Sequence, residues 1–191
     1  MHRKRNIPTT GKVLAIERAL TVASREWLNR QPRPDRLFGR RVPESLDELS
    51  LGDLLSLQGI SEDNARKSVE AIVRIVTKTR VPTWCIMLVR ADKIFGLLAF
   101  ITRELERIGR MFKSISHEPN EDEIAAGVND LDSGPFGLVD WYARRMGYKD
   151  HDDVLRVPWL RVWQTMKIDS ERDNYERRLR DVINAKYKVK K

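Results

Sequence analysis

The chain has 191 residues, with 36 Lys and Arg against 28 Asp and Glu, a formal net charge of +8. At 41% apolar and 34% charged it is too apolar for a disordered chain and too charged for a membrane-embedded one. A single cysteine, Cys85, excludes an intramolecular disulfide and a zinc site built from thiolates.

The charge excess is local. Residues 1–41 hold 11 basic and 3 acidic residues, whereas residues 42–191 hold 25 of each sign. What the charge implies about partners therefore applies first to the first 41 residues. The opening Met1-His2-Arg3-Lys4-Arg5 lacks the apolar run of a signal peptide. The richest apolar stretch, 84–101, carries Arg90, Asp92 and Lys93 near its middle. At about 2.5–3.5 kcal/mol per central charge, that stretch is not expected to span a bilayer. A soluble, intracellular protein is expected.

In chain order, Val13, Ile16, Leu20, Ala23 and Trp27 make one apolar stripe of a helix over 12–30, ended by Pro32-Arg33-Pro34. The basic, Pro-interrupted stretch up to Val42-Pro43 reads as a linker and as the domain boundary. Ser45 with Glu48 fits a capping box, and Ser50 with Asp53 repeats it ahead of Leu54, Leu55 and Leu57. Two short helices, or a turn and a helix, fit, with Gly59 as the stop. Ser61 reads as the next cap, before a helix that stops ahead of Val81-Pro82. The apolar run 84–89 fits a helix entering the core, with a strand pair as the alternative. Phe95, Leu98, Ile101, Leu105, Ile108 and Phe112 then mark the longest helix. Asn120 caps a short acidic helix ended by Gly127, and Gly134-Pro135-Phe136-Gly137 reads as a break before a helix over 138–146. Asp150 caps a helix reaching Val157, Pro158 opens one over 159–167, and Asp169 or Ser170 caps a terminal helix.

Chemistry is sparse in this sequence. His2, His117 and His151 lack a metal-type partner four residues away, and Glu121, Asp122 and Glu123 fan out around a helix. Cys85 lies in an apolar run without basic neighbours and reads as a buried, inert thiol. There is no Walker loop and no dinucleotide fingerprint. No catalytic residue, metal or cofactor is expected, and a binding protein fits better than an enzyme.

Two binding surfaces are open. Arg3, Lys4, Arg5, Arg30, Arg33, Arg36, Arg40 and Arg41 could neutralise phosphates, with Trp27 and Phe38 interleaved for stacking on bases. The plainer reading is that Trp27 finishes an apolar stripe and the arginines solubilise a linker. Large apolar side chains are the other candidates: Leu54, Leu55, Leu57, Trp141, Trp159, Trp163 and Met166. At helical spacing they fit a core, and if some of them are exposed they fit a groove that takes an apolar helix.

Residues 43–185 also carry a pattern: PESLDELSLGDLLSLQ, a helix ending RELERIGRMF, then EIAAG, FGLVD, a VPW helix and a terminal YERRL helix. This order resembles the tail assembly chaperones of tailed phages and prophages, particularly those of Bacteroidetes hosts. The resemblance implies a non-enzymatic protein of the bacterial cytoplasm that binds apolar helices of a tape-measure protein and recruits tail-tube subunits. The basic arm is longer than that pattern, which keeps a DNA-associated or head–tail role as the alternative. The expected fold is all-α: a single multi-helix domain over 43–191, preceded by a basic helical arm over 1–42.

Overall fold

Phe38 and Gly39 turn the chain back on itself, both with positive φ (50° and 75°). This two-residue turn joins β1 (Arg36–Leu37) to β2 (Arg40–Arg41), an antiparallel pair in which Arg36 faces Arg41 and Leu37 faces Arg40. The stretch expected as a linker is thus a folded hairpin, with Leu37 and Val42 buried. Its two-residue strands are too short to announce themselves by alternation. In the computed structural model of the protein, residues 9–10, 26–27, 30–60, 64–117, 119–130 and 134–189 are described. The expected helix over 12–30 lies almost wholly outside the described residues.

Among the described residues the fold is all-α apart from that hairpin. The helices are α1 (Leu51–Gln58), α2 (Ala65–Thr77), α3 (Thr83–Leu88), α4 (Ala91–Lys113), α5 (Glu121–Ala125), α6 (Gly134–Met146), α7 (His151–Leu155) and α8 (Trp159–Val189). They form two compact units interleaved in sequence. One comprises the residues up to Leu46 with Asp53–Arg107, the other Asp47–Gly52 with Ile108–Lys191.

In the first unit, α2 starts at Asn64, whose side chain accepts the Lys67 amide at 3.1 Å. The cap of this helix is Asn64, which sits directly before it and whose amide oxygen caps as well as a hydroxyl; the expected cap Ser61 lies outside the described residues. Val69, Val73 and Val76 form the buried face of α2. Residues 84–88 of the run are helical, as expected, with Val89 extended after them, but only Ile86 of α3 is buried, while Trp84 and Leu88 are exposed and Cys85 is half-buried. Along this part of α4, Ala91, Ile94, Leu97, Phe100 and Ile101 are buried; Ile101 is covered as expected, whereas Phe95 and Leu98 are half-buried and the core stripe runs one residue away from them. Gly96 of α4 meets the backbone of Pro32, and the Arg33 guanidinium lies over Phe100 (5.8 Å) while donating to the Val42 carbonyl at 2.7 Å. Glu104, gripped by Arg107, accepts the Leu46 amide at 3.0 Å. Ser45 to Leu49 is a turn rather than a helix, and α1 ends one residue before Gly59.

In the second unit a two-sided clasp joins distant segments: the Leu51 amide donates to Val157 (2.8 Å) and the Trp159 amide to Leu49 (3.1 Å). Gly52 belongs here because a Cβ on it would lie 3.1 Å from the Leu155 carbonyl oxygen. Ile108, Val139, Tyr142, Val154, Trp159 and Val162 supply the core. The expected Asn120 cap forms, and Glu123 completes it as a box: Asn120 Oδ1 accepts the Glu123 amide at 2.9 Å and Glu123 Oε2 the Asn120 amide at 2.8 Å. Gly134-Pro135-Phe136-Gly137 opens α6 instead of breaking the chain, because a proline in the first turn has no intrahelical amide bond to lose. Gly147 (φ 75°) ends α6, as expected.

The largest departure is α8. A single helix of 31 residues replaces two. No Gly or Pro occurs between Trp159 and Lys191. The polar groups expected to cap at Asp169 and Ser170 have tertiary partners instead: Asp169 binds Arg145 (3.0 Å), and the Ser170 hydroxyl donates to the Ile115 carbonyl (3.0 Å).

Candidate binding surfaces

α8 changes character along its length of about 46 Å. Its first three turns are anchored. Trp159 and Val162 are buried, the Trp159 ring lies 6.0 Å from Phe112, and the Trp163 indole donates to the Met111 carbonyl at 2.9 Å. Arg145 and Asp169 form a two-toothed pair (3.0 and 3.3 Å) that holds the guanidinium above its ordinary pKa, first through the hydrogen bond and then through the carboxylate charge.

Beyond Ser170 the helix is bare. From Glu171 to Tyr187 every residue is exposed except Arg177, which is half-buried. Arg177 Nη1 donates to His117 Nδ1 at 2.7 Å, leaving Nε2 to donate to Glu123 Oε2 at 2.7 Å. Glu123 is held below the usual carboxylate range, first by the Asn120 amide and then by the His117 hydrogen bond. These contacts tie α8 to the α5 cap.

On the bare part, Tyr175, Leu179, Val182 and Ile183 expose 57, 43, 52 and 41% of their surfaces, with Ile168 before them and Tyr187 after. Spacings of three, four and seven place them on one face. A contiguous apolar stripe that nothing among the described residues covers is the mark of an interaction surface. The helical spacing of Tyr175, Leu179, Val182 and Ile183 is visible in the sequence, but their exposure is not.

The seven apolar candidates fare unevenly. Leu54 and Leu57 are core residues of the first unit, and Trp159 is fully buried in the second. All three are corrected to packing roles, because a side chain already surrounded has no surface left to offer. Leu55, Trp141, Trp163 and Met166 are half-buried. Trp141 packs 6.1 Å from Tyr142, and Trp163 is committed to Met111 with the Lys167 amine over its ring (5.6 Å). Each unit holds its own subset: Leu54, Leu55 and Leu57 in one, the remaining four in the other.

Of the basic candidates, Arg3, Lys4 and Arg5 lie outside the described residues. Arg33 is structural, bridging the Val42 carbonyl and Phe100. Arg30 pairs with Glu26 (3.5 Å) and Arg41 with Glu44 (2.7 Å), both in the open. Arg36 and Arg40 are exposed on the hairpin, and Arg36 lines a cleft with Pro32, Asp35, Asp92 and Lys93. Trp27 packs on Ala91, as the plainer reading has it. Among the described residues no group of His, Cys, Asp and Glu could hold a metal ion, and no helix is long and apolar enough to cross a membrane. Comparison with protein-family models, with curated proteins and with solved structures finds no match for this chain.

Proposed function

We propose that this chain is a non-enzymatic assembly chaperone of the kind tailed phages use. In this reading it works in the host cytoplasm, holds an apolar helical segment of a tape-measure-like protein, and passes it to tail-tube subunits. The observation that carries the reading is the exposed stripe of Tyr175, Leu179, Val182 and Ile183 on the bare end of α8. A helix whose apolar side is exposed in isolation acquires a second helix readily, by the same packing that forms coiled coils. The anchored first turns of α8 supply a base from which the helix continues through the stripe.

The reading is tested by anisotropy of a labelled synthetic helix of about 28 residues, four heptads with leucine at the seam. The full chain should bind it, and Leu179→Asp with Val182→Asp should abolish binding while the circular dichroism of the chain is preserved. Equal binding by the variant and the parent would refute the stripe as the site.

A nucleic-acid role is the second reading, and one observation favours it: Arg36 stands directly across the hairpin from Arg41. Like charges in that position destabilise a strand pair, and an anion laid across them removes the repulsion. A salt series on duplex DNA decides it. Affinity that falls steeply with salt and is lost in Arg36→Ala with Arg41→Ala supports this reading, and affinity unchanged by that variant removes it.

A further inference from the structure

Two cations interrupt the stripe. Arg172 and Lys186 lie seven residues either side of Leu179, so the three recur on the same face about 10 Å apart. Arg178 and Arg180 border the stripe on its two sides, and Glu176 is the acid nearest to it. Among the described residues, none of Arg172, Arg178 and Lys186 has an ion-pair partner. From 172 to 191 the sequence holds 8 basic and 3 acidic residues.

We infer that the stripe of α8 selects an acidic amphipathic helix, with carboxylates about 14 residues apart that meet Arg172 and Lys186. The inference rests on the stripe being the docking face proposed above and adds the chemistry of its occupant. A helix of four turns or more seated along Leu179 and Val182 runs beside both cations. Covering a cation without an opposing charge costs more than an exposed pair contributes, so an occupant lacking carboxylates there binds more weakly. A second copy of this chain fits poorly, because a copy paired about Leu179 brings the same excess of positive charge to the seam and sets Arg172 and Lys186 against cations of its twin. Electrostatic complementarity of this kind sets partner choice in paired helices through flanking charges, while the apolar seam supplies the adhesion.

The test uses the full chain and two synthetic helices with the same leucine seam, one flanked by glutamate and one by lysine. The acidic helix should bind at least about tenfold more tightly than the basic one at ~50 mM salt, with the margin shrinking as salt rises. In Arg172→Glu with Lys186→Glu the preference should reverse; both positions are exposed, so circular dichroism should show the helix content unchanged. Equal affinity for the two helices overturns the charge selection and leaves the stripe as a docking face. Failure of both helices to bind overturns the docking face itself. Sedimentation of the chain alone provides the last arm: a dimer abolished by Leu179→Asp makes a second copy the occupant and overturns the inference, and a monomer supports it.

Discussion

The indole nitrogen of Trp163 donates to the backbone carbonyl of Met111 at 2.9 Å, joining the start of α8 to the end of α4. This bond fixes where α8 is anchored and commits the Trp163 indole N–H within the fold. Trp163→Phe keeps an aromatic ring, a smaller one, and leaves the carbonyl without its donor. The variant should lose about 1 kcal/mol of stability in urea unfolding and bind the acidic helix as the parent does. Weakened binding at full stability would return Trp163 to the partner surface.

Two glycines of α4 should respond in opposite directions. A Cβ on Gly96 would overlap the Pro32 carbonyl oxygen and lie 3.1 Å from its carbon, whereas a Cβ on Gly109 meets nothing within 4 Å. Gly96→Ala must displace backbone and should cost about 1–3 kcal/mol. Gly109→Ala removes a flexible residue from a helix interior and should add about 0.5–1 kcal/mol. Thermal unfolding of the two single variants checks both signs.

The Glu123 carboxylate gives the fold an acid-sensitive point. Its pKa is lowered in the folded state by the Asn120 amide and by His117. The stabilisation it provides is therefore complete above the ordinary carboxylate range and is lost as pH falls through the lowered folded value. Glu123→Gln should flatten the acid side of the stability profile and leave the neutral plateau's slope unchanged. An unaltered acid limb in that variant would place the sensitivity elsewhere.

Tyr142 is fully buried, and its hydroxyl has no hydrogen-bond partner among the described residues. The ring is stacked on Tyr148 with centroids 6.1 Å apart. Tyr142→Phe retains the stacking and removes a desolvated oxygen, so it should stabilise the chain by about 1 kcal/mol, read as a raised urea midpoint. A loss of stability would mean that the hydroxyl has a partner that the described residues do not show.

The features legible in the sequence were those whose partners lie close together in it. The Asn120 cap and the end of the helix at Met146 need only neighbours within a few residues, and both form. The continuity of α8 was hidden because Asp169 and Ser170 look like caps until Arg145 and Ile115 arrive from other segments to bind them. The hairpin escaped for a related reason: a Phe-Gly pair is not a usual turn dipeptide, and four strand residues carry no period. Burial was the least legible property. The same three- and four-residue spacing serves Trp159 with Val162, which are covered, and Tyr175 with Leu179, which are not. Periodicity marks a face of a helix, and only the packed chain shows whether anything lies against it.

Backbone hydrogen exchange along α8, with and without the acidic amphipathic helix, tests the central claim most directly. Docking on the stripe should slow exchange across residues 172–187 and leave the already anchored turns from Trp159 to Ser170 unchanged. Exchange unaltered across 172–187, or protection appearing instead at Trp84 and Leu88 of α3, would contradict the claim that the bare end of α8 is where this protein meets its partner.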